Sequence, residues 1–365
     1  MPEWFRRYLL PGFVFQSIII GGGYGTGREL VEFFLQYGPL GGLLGLLIPT
    51  LFIVTVSCMI SFEFARAFHA YDYRSFFERL IGRGWILYEI SFLIFLLLIL
   101  AVLGSAAGNF LLETFDVPYA VGVIGLLLTV SFLVFKGTGT IEGFLTLWSF
   151  VLYAVYVVFF VWSMATFGDQ TMAALGGGEI RDGWLNSGVR YAAATVGLIP
   201  AMLFATRHIR SRREALWAGF LAGPISILPA ILFYFAMVGQ YPAIVERPVP
   251  ANYLLEVLGS RPFQIFFQVM LFGTLIETGS GLIHAFNERL AGSLEFGGRA
   301  LANWVRPAVA IGLLVLAAAL TRFGIIGLIA QGYGTIAWVF LVLLVIPLGT
   351  VGIVKLRRVS LDPTN

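Results

Sequence analysis

Apolar residues gather into long blocks along this chain instead of alternating or recurring on one helical stripe. With a window of about 20 residues, the helix length that crosses a hydrocarbon core of roughly 30 Å, ten blocks stand out. They cover residues 10–36, 39–65, 84–112, 118–135, 142–167, 187–207, 213–240, 262–290, 304–321 and 325–354. Each predicts a membrane-crossing helix, so the expected fold is an all-α polytopic membrane protein of ten transmembrane helices, with 1–365 as a single membrane domain.

Basic residues test this division, because they collect in cytoplasmic connections. Arg6 and Arg7 precede the first block; Arg66, Arg74, Arg79 and Arg83 separate the second and third; Lys136 the fourth and fifth; Arg207, Arg210, Arg212 and Arg213 the sixth and seventh. Arg289 and Arg299 fall between the eighth and ninth, and Lys355, Arg357 and Arg358 follow the tenth. The alternate connections are poor in positives or mixed: Gln36 to Gly38, Glu113 to Pro118, Asp169 to Asp182 and Tyr241 to Arg261. Both termini are therefore expected in the cytoplasm, with the chain in a prokaryotic cytoplasmic membrane. Ten passes divide into two sets of five, about 10–167 and 187–354, and an odd number per half inverts the second half relative to the first.

Composition narrows the class. Apolar residues make up 59% of 365, charged residues 12%, and mean hydropathy is +0.90, far above what a soluble core of this length requires. The net charge of +3 lies in the inter-block arginines and points to membrane orientation, with no nucleic-acid module. One cysteine, Cys58, excludes a disulfide framework and reads as a packing residue. Arg6 and Arg7 precede an apolar stretch without a small-residue cleavage site, so an uncleaved first span is expected.

The most informative local feature is the run Gly21, Gly22, Gly23, Tyr24, Gly25, Thr26, Gly27, followed by Arg28 and Glu29, near the centre of the first block. Glycine this dense weakens a helix where lipid demands one. A break is tolerated there only if the freed backbone is buried in protein or lines a polar cavity. Close helix packing is the competing use, since Gly21 and Gly25, and Gly23 and Gly27, stand four apart. Block six carries Thr195, Gly197, Pro200 and Ala201 at a comparable depth, and proline disfavours helix just before itself. Helices 1 and 6 are thus expected to be discontinuous, the arrangement from which secondary transporters build substrate and ion sites.

Three stretches carry a family resemblance. They are Gly21, Gly23, Thr26, Gly27, Arg28 and Glu29 in a Gly-x-Gly-x-x-Thr-Gly-Arg-Glu pattern, Ser211 to Pro224, and Ile276 to Arg289. Through them the chain resembles the YkvI-type membrane proteins, which look like a distant branch of the amino-acid, polyamine and organocation transporters. That resemblance implies the five-plus-five LeuT-type fold more firmly than any substrate. In sodium-coupled members of that fold the eighth span contributes hydroxyls to an ion site, for which Thr274, Thr278 and Ser280 are the matching candidates here; Glu277 among them departs from the pattern.

Charges at membrane depth need partners. Arg28 lies about nine residues, roughly 13 Å of helix, from Tyr37, which places it near the midplane at a cost of a few kcal/mol or more unless paired. Glu32 has the four-residue spacing of a helical pair with Arg28, and Glu277, at the centre of block eight, is a candidate from another helix. Glu277, Gly281, His284 and Glu288 share one stripe. With Arg28, Glu29, Glu32, Thr274, Thr278, Ser280 and His284, Glu277 forms the expected ion-coupling or charge network, a carboxylate favouring protons over sodium. A structural salt bridge is the rival reading for Arg28, and a helix-end role for His284.

The resulting expectation is a secondary active transporter of a small organic solute, an amino acid or related organic ion, with no cofactor and with H+ or Na+ as coupling ion. The lipid bilayer and the solute are its expected partners. A substrate-binding sensor or channel on the same fold, or a metal-ion transporter using Met202 beside Pro200, are the alternatives. Enzymatic chemistry is not expected, because His69, His208 and His284 are the only histidines and no His-Glu-x-x-His pattern occurs.

Overall fold

The computed structural model describes residues 2–136, 138–296 and 305–360, without side chains at 135–152, 284–285, 288–296, 306–307 and 360. The described residues form helices and turns, with no strand among them. Backbone groups in hydrocarbon have no water to bond, and helices satisfy them within one segment. The protein is accordingly an assembly of apolar helices. By length and composition Pro39–Phe68, Tyr73–Phe115, Arg212–Val238, Arg261–Ile283 and Ala308–Val359 are each able to cross a bilayer. Trp184–Val196 and Ile199–His208 together form a further such element, bent by 56°.

The first apolar block is not one rod. Helix Leu10–Ile19 stops at Ile20 (φ −73°, ψ 85°), a single turn follows at Gly22–Gly25, Gly27 takes the left-handed conformation at φ +79°, and helix resumes over Arg28–Phe33. A side chain at Gly27 would be strained by that backbone and would also press on Met237 and Phe233. The stretch Ala308–Val359 divides at Gly324, whose φ is +68°, after Val305–Leu320 and the turn Thr321–Phe323.

Several boundaries differ from expectation. The helix of the fifth block kinks at Phe167 (φ −124°, ψ 17°), just before Gly168 and where the block was expected to end, and a second helix continues from there to Gly176. The connections at 66–83 and 241–261, expected as loops, carry the amphipathic helices Tyr73–Ile81 and Pro250–Leu258. Asp72 caps the first of these by accepting from the Ser75 amide at 2.9 Å, and Pro250 opens the second at a position that needs no donor. Ser211 caps Arg212–Val238 in the same way through the Glu214 amide, at 3.2 Å.

Packing at the bundle centre depends on small residues, as expected where lipid tails remove a hydrophobic drive between helices. The helices Leu51–Phe68 and Arg212–Val238 approach so closely that a Cβ on Gly219 would lie 2.4 Å from the Met59 Cα. One on Gly223 would lie 2.8 Å from the Thr55 Cα. Gly188 meets the Gly45 carbonyl similarly, at 2.5 Å, and the buried Thr50 hydroxyl bonds the Gly45 and Gly188 carbonyls at 2.9 and 3.0 Å. Gly219→Val and Gly223→Val should each destabilise the protein by about 1–3 kcal/mol through overpacking. Thermal unfolding in detergent measures this, and Gly125→Ala, which faces open space, should melt within error of the parent.

Candidate functional site

Interrupting a helix inside a bundle frees carbonyls, and each interruption here is met by a hydroxyl from another helix. Thr278, on Arg261–Phe296, donates to the Ile20 carbonyl at 3.1 Å. Tyr88, on Trp85–Phe115, donates to the Gly197 carbonyl at 2.9 Å. Ser187 donates to the Phe33 carbonyl at 2.7 Å, joining the end of the first block to the start of the sixth. Gly197 itself has no room for a side chain, since Phe340 would lie 2.4 Å from its Cβ.

Between the two interruptions lies a cavity of about 30 Å³. At about 10–15 Å³ per water this holds two or three water molecules, so a larger solute enters only as the surrounding side chains or helices move. Gly21, Ala194, Thr195 and Thr278 come together on its wall with the aromatic rings of Phe33, Phe95, Tyr191 and Tyr333. Phe33 and Tyr191 have ring centroids 5.4 Å apart, and Phe95 and Tyr333 meet edge to face at 5.1 Å. Among the described residues Glu29 is the one charged residue lining it.

The charges of the first block separate. Arg28, 3% exposed, turns away from the cavity: its guanidinium donates to the Val245 carbonyl at 2.7 Å, the Arg247 carbonyl at 3.0 Å and the Glu32 carboxylate at 2.9 Å. The Ala251 amide bonds the Thr26 carbonyl at 2.9 Å, so the connection between the seventh and eighth blocks is fastened to the glycine run at two points. Arg28 is thus paired by Glu32. Glu29, next in the chain, lines the cavity and is 7% exposed. Its carboxylate fills the space where a Gly23 side chain would stand, 2.2 Å from that Cβ position, and it makes no salt bridge among the described residues.

The remaining sequence candidates divide by position. Thr26 is buried and donates to the Gly23 carbonyl at 3.0 Å, bracing the turn. Gly25 abuts Leu271, and Gly22 lies in the same turn. Tyr24 packs edge to face on Tyr156. Pro200 is buried and Ala201 partly buried just past the bend, outside the cavity lining. Thr274 and Ser280 are buried and donate within their own helix, to the Met270 carbonyl at 3.0 Å and the Ile276 carbonyl at 2.7 Å. Glu277 is buried and engaged, and is not among the residues that line the cavity. The His284 side chain lies outside the described residues.

Sequence reasoning did not single out Phe33, Phe95, Tyr191 or Arg190. The Arg190 guanidinium sits 5.9 Å from the Phe33 ring centre and reaches the Ala330 and Gly334 carbonyls at 3.4 Å. A lone arginine within an apolar block was the available signal; the three aromatics, one kind among many on apolar helices, gave none.

The arrangement matches known structures in fold. MhsT in complex with L-phenylalanine superposes with a TM-score of 0.59 at 14% identity, over 97% of this chain and 98% of that one. A mutant of the manganese transporter of Eremococcus coleocola gives 0.56 at 16%, over 94% and 78%. The chain has the LeuT-type transporter fold and is an integral membrane protein. By sequence it is 23% identical over 281 residues, 76% of this chain and 79% of the relative, to the uncharacterized membrane protein YkvI of Bacillus subtilis (strain 168), a distant relationship. No family model matches.

The Arg28 geometry yields a test. Arg28→Gln and Glu32→Gln should each cost about 3–5 kcal/mol, because each leaves a buried opposite charge, while Arg28→Met combined with Glu32→Met should cost less than the sum. Unfolding midpoints of the three variants measure this; additive losses would contradict the pairing.

Proposed function

We propose that this chain is a secondary transporter that carries a small organic solute, an amino acid or related organic ion, by alternating access. The observation that carries this reading is the cavity between the two interrupted segments, lined by residues from both. In a carrier the helix breaks supply polar backbone and a hinge at one place, so the solute site and the moving parts coincide. On this reading residues 10–167 and 187–354 are inverted five-helix repeats of one ten-helix domain, with both termini on the cytoplasmic side of a prokaryotic cytoplasmic membrane.

Coupling to protons is favoured over sodium, since the cavity wall carries a carboxylate, itself a proton acceptor. The metal-ion reading has less support: among the described residues no three or more His, Cys, Asp or Glu side chains gather. A channel is disfavoured by a cavity of water-pair dimensions.

The experiment is flux into proteoliposomes of purified protein, with amino acids, amines and organic acids offered under imposed pH or sodium gradients. Saturable uptake of at least one solute, driven by the pH gradient, is expected. Ala194→Val, which narrows the cavity by two methyl groups, should impair it with an unfolding midpoint lowered no further than in Gly219→Val or Gly223→Val. Linear, gradient-indifferent flux would indicate a channel, and ligand binding without flux a sensor.

A further inference from the structure

Glu29 holds an unusual position among the ionisable groups. A carboxylate buried this deeply in a bilayer-spanning bundle is strongly disfavoured as a lone anion, so it holds either a proton or a cation. Among the described residues the charged groups around it do not supply that cation. Arg28 is committed to Glu32 and the carbonyls of Val245 and Arg247; Arg190 lies beyond Phe33 on the carbonyls of Ala330 and Gly334. Glu277, on the neighbouring helix, is an acid with an interaction of its own. The titratable groups facing Glu29 are phenols: Tyr24 from its own segment, Tyr156, Tyr191 and Tyr333.

Two further observations specify what the cavity would take. The Glu29 carboxylate lies against the backbone of the glycine run, its oxygen 2.2 Å from where a Cβ on Gly23 would stand. The protein's own acid thereby sits where a solute carboxylate would otherwise meet that backbone. Around it stand Phe33, Phe95, Tyr191 and Tyr333, whose ring faces attract cations and exclude anions.

We infer that the cavity binds a small organic ammonium ion with an apolar body on the Glu29 carboxylate, in exchange for the proton that Glu29 carries when no cation is present. The step balances as R–NH3+ plus the Glu29 carboxylic acid giving the R–NH3+ carboxylate ion pair plus one proton released to water. No net charge is buried on either side of it. The inference deepens the transport reading and rests on it for movement across the membrane, whereas the binding step stands apart from it.

The test is isothermal titration of the purified full-length protein in lipid nanodiscs with isoamylamine and phenethylamine, from about pH 5 to pH 8, where both remain cationic. Leucine and phenylalanine, the same bodies with a carboxylate added, serve as counterparts. Expected are binding of the amines in preference to the amino acids, one proton released per amine, and affinity that weakens by up to about tenfold per pH unit on acidification. Glu29→Gln should lose at least about tenfold in affinity together with the pH dependence; Glu29→Asp, which keeps the carboxyl, should retain the pH dependence and show that loss is chemical and not a folding defect. Failure of both amines to bind, tighter binding of leucine or phenylalanine, pH-independent binding, or indifference to Glu29→Gln would each overturn the inference. If an amino acid is taken up into proteoliposomes with Glu29→Gln unimpaired, the ammonium site falls and transport stands. If amines bind with proton release and no solute crosses, the site stands and the transport reading falls.

Discussion

Every backbone amide and carbonyl at membrane depth must find a partner within the protein, and the centre of this molecule is organised by that requirement. Glycine and proline break the first and sixth apolar blocks; the breaks release carbonyls; hydroxyls of Thr278 and Tyr88 meet them from two other helices. The helices that supply those hydroxyls are thereby drawn against the breaks, and the space left among them is the cavity. Small residues elsewhere serve the same end, because Gly188, Gly219 and Gly223 let backbones approach within reach of such contacts.

Electrostatics adds a second layer. Two adjacent residues, Arg28 and Glu29, part company: one ties the segment after the glycine run to the 245–247 connection, the other faces the cavity. The terminal nitrogens of the guanidinium have three acceptors, while its Nε is buried without one, and the anchored group suits a fastening between segments. The carboxylate makes no salt bridge among the described residues, which suits a group that changes its state. Neighbours in sequence thus divide between holding and switching, with the left-handed turn at Gly27 setting the direction in which the segment leaves the break.

The apolar blocks were legible because a 20-residue hydrophobic run has few other uses, and helices are found along each of them among the described residues. The weak points at Gly21 to Gly27 and at Gly197 to Pro200 were legible too, since glycine and proline act on the backbone locally. Partnership was harder to read. Arg28 had two candidate acids, and the choice of Glu32 over Glu277 depends on how the turn at Gly27 rotates the helix that follows. In sequence Glu277, at the centre of its block, stood out over Glu29 beside the glycine run; which of them reaches the cavity is decided by helix rotation, which hydropathy does not encode. The helix beyond the Phe167 kink and the two amphipathic helices in the connections carry no continuous apolar run, so hydropathy does not mark them.

The central claim is that both interruptions face one cavity that opens to either side of the membrane. It is tested most directly by replacing the single cysteine, Cys58→Ser, adding Thr195→Cys on the cavity wall, and applying a membrane-impermeant thiol reagent to right-side-out and inside-out vesicles. The account predicts labelling from both sides, slowed when a bound solute fills the cavity. Labelling from neither side, or from one side alone under every gradient and solute condition, would contradict it.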